Sequence, residues 1–196
     1  MRFNISIFRA TLRRRSTLLI GSGSKILWSA KIVNLQTHDS AISIGKRSII
    51  CGELLTFAHG GQITIGDDCY IGEGTKIWSG NSVSVGNNVL IAHGISIMDN
   101  LTHPIDFKER RKHYASIYSA GHPTDIDLGD KPIEIGDDAW IAAGAIIMRG
   151  VKIGARSIIS AGSVVRNDVP PDTIVAGNPA IVIRSLSSNA AILEKN

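Results

Sequence analysis

The 196-residue sequence has few aromatic residues, only two cysteines and no long apolar run. Aromatic residues make up 5% of the chain while glycine numbers 20, a balance that argues against an ordinary sandwich or helical bundle. No apolar run approaches the roughly 18 residues of a transmembrane helix, and "STLLIG" is too short for a signal-peptide apolar segment. We therefore expect a cytoplasmic protein in which Cys51 and Cys69 are free thiols.

Aliphatic residues recur at every sixth position over much of the chain. The longest ladder consists of Ile135, Ile141, Ile147, Ile153, Ile159 and Val165. An earlier ladder runs from Ile65 to Val83, and a shift of two residues starts another that runs from Val85 to Ile97. A period of six fits neither a helix nor simple strand alternation, but three short strands joined by turns would form one triangular coil.

In such a coil the aliphatic residue of each unit points inward and stacks on its counterpart three units further along the chain. A small or β-branched residue four positions after the aliphatic, such as Ser48 or Thr75, would fill the corner. Stacking of neighbouring coils then builds the core. The pattern predicts an all-β fold, because a helical face would not persist with Gly or Asn every few positions.

Residues 99–132 interrupt this repeat. The distance along the chain from Ile97 to Ile135 exceeds six repeat units by two positions, and the stretch between them has almost no six-residue signal. It holds three of the six histidines in the chain. Ordering a long loop costs entropy that the core does not recover, so we expect this loop excursion to carry function.

Two segments carry a resemblance to a known family. They are "VGNNVLIAHGISIMDNLTHPIDFKERR" and "PIEIGDDAWIAAGAIIMRGVKIGARSIISAGSVVRNDVPPDTIVAGNPAIVIR". They resemble the hexapeptide-repeat acyltransferase superfamily, especially its acetyl-CoA-dependent maltose, galactoside and surface-polysaccharide O-acetyltransferases, over roughly residues 40–183. The resemblance implies a left-handed parallel β-helix with one long loop excursion, short terminal extensions and assembly into a homotrimer.

The resemblance also implies a catalytic base. His103, followed by Pro104, matches the His-Pro of the family loop, and His122 with Pro123 is a second, less well placed candidate. Imidazole can take the proton of an attacking hydroxyl at neutral pH and pass it to the departing thiolate of acetyl-CoA. Asp99 or Asp106 could orient the ring. The expected acceptor is a sugar hydroxyl of a surface polysaccharide or its lipid-linked precursor, with an amino sugar as the alternative.

The coenzyme A contacts are inferred by the same resemblance. The matching positions are Ala143, Ala161, Arg166 and Arg184. Small residues would let the pantetheine arm lie close to the backbone, and guanidinium groups would face the phosphates. The Thr-Lys that often precedes "DVPP" in the family is Arg166-Asn167 here, so one cation is displaced by a residue.

Other functions on the same repeat fit less well. A metal-dependent hydratase would take its ligands from His59, His93, His103, His113 and His122. Spacings of nine and ten residues among the last four do not match the His pair of the β-helical carbonic anhydrases, so we expect no metal. Serine acetyltransferases and nucleotidyltransferase fusions carry additional domains. A non-catalytic β-helical scaffold subunit remains an alternative that would leave the His-Pro loop unexplained.

The N-terminal segment is basic. Residues 1–31 carry seven Lys and Arg side chains and no acidic residue. No nucleic-acid-binding module is recognisable, and we expect no nucleic-acid partner. The cationic and apolar side chains of residues 1–15 could contact the inner face of an anionic membrane, or the apolar ones could cap the first coil. The expected organisation is a basic arm and cap (1–40), the β-helix domain (41–183) and a tail (184–196).

Overall fold

The computed structural model describes residues 18–36 and 38–186, which wind into a three-sided β-helix. Face 1 consists of β1 (Leu19–Ile20), β4 (Ile42–Ile44), β7 (Ile63–Ile65), β10 (Val83–Val85), β13 (Ile133–Ile135) and β16 (Lys152–Ile153). Face 2 consists of β2 (Lys25–Ile26), β5 (Ile49–Ile50), β8 (Tyr70–Ile71), β11 (Leu90–Ile91), β14 (Trp140–Ile141), β17 (Ile158–Ile159), β19 (Thr173–Gly177) and β20 (Ala180–Ser185). Face 3 consists of β3 (Lys31–Asn34), β6 (Glu53–Thr56), β9 (Lys76–Ser79), β12 (Ser96–Met98), β15 (Ile146–Ile147) and β18 (Val164–Val165).

The predicted all-β fold, a left-handed parallel β-helix, is confirmed. Each coil contributes one strand to each face, and neighbouring coils pair in parallel. Within the described residues, the hairpin of β19 and β20 is the antiparallel exception. A short 3-10 turn (Asp39–Ala41) leads into β4.

The core is the predicted stack of aliphatic side chains. Ile135 lies beside Val85 of the preceding coil and Ile153 of the following one, and all three are buried. The stacking interval is the predicted three units between Ile135 and Ile153, but it is longer by two positions between Ile65 and Val85. The two extra residues lie between Ile77 on face 3 and Val85 on face 1, which are eight positions apart, whereas Ile147 and Ile153 are six apart.

Small polar side chains fill the corners, as expected, and they also satisfy backbone groups. Ser48 is fully buried, and its hydroxyl donates to the carbonyl of Gly66 at 2.9 Å while accepting from the Cys69 amide at 2.9 Å. Thr75 does the same at the corner between faces 2 and 3 of the next coil, donating to Ala92 O at 2.7 Å and accepting from the Ile95 amide at 3.1 Å. Cys51 and Cys69 are buried free thiols, as predicted.

The ends of the β-helix extend beyond the expected boundaries. The first coil, β1 to β3, lies within the segment 1–40 that we expected to form an arm and cap, and it pairs in parallel with the second coil. Residues 1–15, with the proposed membrane contact, lie outside the described residues. Strand β20 continues to Ser185, within the expected tail.

The excursion leaves the β-helix at the corner between faces 3 and 1, after β12, and returns at β13. It contains a helix, α1 (Phe107–Ser119), which the sequence analysis did not predict. Asp106 caps this helix by accepting from the amides of Lys108 and Glu109 at 2.9 and 3.0 Å. On α1, His113 faces inward while most of the helix is exposed.

Candidate active site

Three histidines of the excursion come together beside the coils. His103 precedes α1, His113 lies on it, and His122 follows it. The Nδ1 atoms of His103 and His113 are 3.3 Å apart, and the ring centroids of His113 and His122 are 6.5 Å apart. His103 and His122 are exposed, whereas His113 between them is buried.

The electrostatic surroundings favour a neutral His113. Burial lowers its pKa from the ordinary value of 6.5, and positive charge on His103, His122 or His59 would lower it further. Among these rings, His113 is therefore the one that resists protonation.

These rings line a cavity of about 100 Å³. The coils supply its other wall through the aromatic side chains of Phe57 and Trp78, which pack edge to face with ring centroids 6.2 Å apart. The Nε1 atom of Trp78 is buried without a hydrogen-bond partner among the described residues. An aromatic wall, a donor and several imidazoles form a concave site suited to a small polar ligand.

A fourth histidine lies in the same cavity wall. His59, in the turn after β6, has an 8% exposed side chain, and its Nε2 atom is 3.3 Å from Oδ2 of Asp130. Asp130 lies at the far end of the excursion, so this pair links the excursion to an earlier coil. A larger open groove of about 700 Å³ lies elsewhere, along the polar face 1, and contains none of these histidines.

Neither carboxylate that we expected to orient His103 does so. Asp99 is fully buried, and its oxygens accept from Ser79 Oγ, Gly80 N, Asn81 N and Asn100 Nδ2 at 2.7 to 3.0 Å. Asp106 is occupied with the cap of α1. The side chain that meets His103 is His113, ten residues further along.

Of the four candidate coenzyme A positions, the two alanines lie at the edge of face 3 opposite the excursion, whereas Arg166 lies at the same edge as the excursion. Ala143 and Ala161 occupy equivalent turns between faces 2 and 3, and the Gly162 amide donates to Ala143 O at 2.9 Å. Arg166 follows β18 on face 3, and Arg184 lies on β20 of face 2. Both arginines are exposed and form no ion pair within the described ranges.

Sequence reasoning did not assign His113, His59 and Asp130 to the site. The sequence does contain a helical signal in "DFKERRKHYAS", where Asp precedes a run of good helix formers, and that signal would have placed His113 on a helix. Contacts of His59 with a residue 71 positions away have no local signal. No group of three or more potential metal ligands, and no helix long and apolar enough to cross a membrane, occurs among residues 18–36 and 38–186.

Comparison with known families finds two stretches of hexapeptide repeats. Residues 132–167 match the family described as bacterial transferase hexapeptide (six repeats). Residues 62–98 match the hexapeptide repeat of succinyl-transferase. The two matches lie on either side of the excursion, which itself matches neither.

Among curated relatives, a Saccharomyces cerevisiae protein with acetyltransferase in its name is 46% identical over 77 residues, 36% of this chain and 39% of that protein. The galactoside O-acetyltransferase of Escherichia coli is 41% identical over 73 residues, 34% of this chain and 36% of that enzyme. These matches thus span less than two fifths of either relative.

A hexapeptide-repeat-containing acetyltransferase of Vibrio cholerae, crystallised with acetyl coenzyme A, superposes with a TM-score of 0.53 at 29% identity, over 94% of this chain and 80% of that one. The repeat matches, the fold and the relatives show that the chain contains hexapeptide repeats and is similar to hexapeptide-repeat acetyltransferases.

Proposed function

We propose that the protein is an acetyl-CoA-dependent O-acetyltransferase that acts on a sugar hydroxyl, with His103 as the general base. The observation that carries the proposal is the position of His103: it lies at the rim of the cavity, and one ring nitrogen already has a partner in His113. The similarity to a galactoside O-acetyltransferase supports a sugar acceptor. A surface polysaccharide or its lipid-linked precursor is the proposed source of that sugar.

The reaction follows from the chemistry of the ring. His103 takes the proton of the acceptor hydroxyl as its oxygen bonds to the carbonyl carbon of the acetyl group. The carbon–sulfur bond then breaks, and the imidazolium returns the proton to the departing thiolate, so that the products are the acetyl ester and free coenzyme A. In the cavity, a sugar oxygen would satisfy the unpaired Nε1 of Trp78.

The fold offers a route for the donor. The corner turns with Ala143 and Ala161 and the excursion with His103 flank face 3. The longest strands of this face have four residues, so its width is about 13 Å. A pantetheine arm lying across or beside this face would span that distance and bring the thioester to the histidines, with Arg166 or Arg184 at the phosphates.

Apolar side chains on face 2 support the proposed homotrimer. Tyr70, Leu90 and Trp140 lie side by side on neighbouring coils and are 40 to 52% exposed. The corresponding outward positions on face 1 are polar, for example Thr64 and Ser84. A continuous apolar stripe on one face and a polar surface on another is the pattern expected of a subunit interface.

The test is a set of glycans that present the same sugar with either a hydroxyl or an amine, incubated with acetyl-CoA while free thiol is measured. We expect thiol release with a hydroxyl acceptor. The His103→Ala variant should lose roughly 10² to 10⁴ in kcat while its affinity for acetyl-CoA changes little. His122→Ala is the matched control and should stay near wild type. Near-normal turnover of folded His103→Ala, or transfer to the amine alone, would contradict the proposal.

A further inference from the structure

The contact between His103 and His113 constrains the protons on both rings. Two ring nitrogens 3.3 Å apart form a hydrogen bond only when one carries a proton and the other does not. The Nδ1 proton therefore belongs either to His103 or to His113. The two arrangements leave different nitrogens of His103 free.

Only one arrangement allows His103 to act as a base. When His103 donates from Nδ1, its second nitrogen, Nε2, carries a lone pair that can accept the proton of a hydroxyl. When His113 donates instead, Nδ1 of His103 is engaged and Nε2 holds the proton, so no basic nitrogen remains. The identity of the donor thus decides whether the ring is active.

The surroundings of His113 keep its Nδ1 atom able to act as the acceptor. An imidazolium has no lone pair and cannot accept, and burial together with the neighbouring imidazoles lowers the pKa of His113. The titratable or charged side chains that border the cavities on either side of it are those of His59, His103, Glu109, Lys112, His122 and Asp125. His113 is therefore held neutral, beside a partner that is more exposed.

A second contact fixes the helix that carries His113 relative to the segment that carries His103. Arg110 on α1 donates from Nη1 to the carbonyls of Pro104 and Ile105 at 3.0 and 2.8 Å. These carbonyls belong to the two residues that follow His103. The helix that carries His113 is thus tied to the segment that carries His103, independently of the contact between the rings.

We propose that His113 is a positioning residue that accepts the Nδ1 proton of His103 and holds the base in its active tautomer. This inference rests on the proposed function, since it assigns a role to a neighbour of the base. His113 does for His103 what a carboxylate does in many catalytic pairs, but without introducing a negative charge into the cavity.

Two substitutions separate this role from a packing role. His113→Asn is smaller but can place its amide oxygen near the position of Nδ1, and so it keeps an acceptor. His113→Leu retains apolar bulk and has no acceptor. We expect His113→Leu to lower kcat by about 10- to 100-fold, less than loss of the base itself, with the KM for acetyl-CoA little changed. His113→Asn should recover most of that loss.

A measurement on the rings themselves complements the kinetics. Nitrogen-15 NMR of the histidine side chains should find the proton of neutral His103 on Nδ1 in the wild type and in His113→Asn, and on Nε2 in His113→Leu. This spectrum of the wild-type protein decides the matter even if a variant fails to fold. A proton on Nε2 of wild-type His103 would overturn the proposal.

The kinetic outcomes distinguish two kinds of failure. If His103→Ala abolishes turnover but His113→Leu is as active as wild type, or more active than His113→Asn, the positioning role is wrong and the base remains. If His103→Ala is itself active, the assignment of the base is wrong. In the double variant, His113→Leu should add little to the loss caused by His103→Ala, because the two act through one ring.

Discussion

Replacement of Asp99 by Asn should destabilise the protein strongly although it changes only one oxygen to an amide. Four donors converge on the carboxylate: Oδ1 accepts from the Gly80 amide and the Asn100 side chain, and Oδ2 accepts from the Ser79 hydroxyl and the Asn81 amide. Burial raises the pKa of Asp99, and the donors of residues 79–81 counteract that rise. A set of four donors matches an ionised carboxylate, which only accepts.

The magnitude follows from the count of lost bonds. An Asn side chain has one acceptor oxygen, so its amide group would face either the donors of Gly80 and Asn100 or the Asn81 amide, because the Ser79 hydroxyl can donate to Gln62 O at 3.0 Å instead. Hydrogen bonds to charged groups contribute about 1.5 to 3 kcal/mol each, so the loss of one or two gives about 1.5 to 6 kcal/mol. The backbone carbonyl of Asp99 also accepts a hydrogen bond from the Lys131 amide at 2.7 Å. The substitution would therefore destabilise the place where the two ends of the excursion meet.

Urea denaturation of Asp99→Asn beside Asp106→Asn measures this cost. Asp106 lies in the same excursion but is exposed and caps α1, where Asn serves about as well as Asp, so this control should stay within about 0.5 kcal/mol of wild type. Equal stabilities for the two variants would mean that the buried donors do not require a carboxylate.

Three further predictions concern the core, pH and assembly. Ile147→Asp should cost several kcal/mol in denaturation experiments because an unpaired carboxylate would enter the core, whereas Ile146→Asp, whose side chain points outward on the same strand, should cost far less. The lowered pKa of His113 means that the folded state binds fewer protons than the unfolded state just below pH 6.5, so stability should fall as pH falls through that value, and less so in His113→Asn. Leu90→Arg should dissociate the proposed trimer in sedimentation experiments, and Thr64→Arg on face 1 should not; an intact Leu90→Arg trimer would exclude face 2 as the interface.

The coils could be predicted from sequence because each inward residue obeys the same local rule. Ile135, Ile141 and Ile147 stack as predicted, and even the shift of the ladder at Val83 and Val85 corresponds to a real change in coil length. Repetition supplies the information here, since each coil meets only its neighbours.

The site could be predicted only in part. The interruption located the excursion, and the His-Pro motif drew attention to His103, whose role as base remains a prediction. The side chains that contact the His103 ring could not be inferred, because the excursion has no sequence repeat and its contacts join segments that are distant along the chain. Asp99 and Asp106 lie near His103 in sequence but bind other groups. His113 contacts His103 although it lies ten residues further along the chain, about two turns into α1.

The return of the chain to the β-helix after the excursion has a consequence for the order of folding. Ser84 pairs with Thr64 in the coil just before it, but its partner on the other side, Glu134, lies beyond the whole excursion. The second pairing closes a segment about two and a half times as long as the first, which costs about 0.8 kcal/mol more in chain entropy. We therefore expect the pairing of β10 with β13 to form later than that of β7 with β10, and winding to proceed separately in the coils before and after the excursion. The histidine cavity is lined by the coils before the excursion, through Phe57, His59 and Trp78, and by the excursion itself, so its lining does not depend on the docking of the later coils.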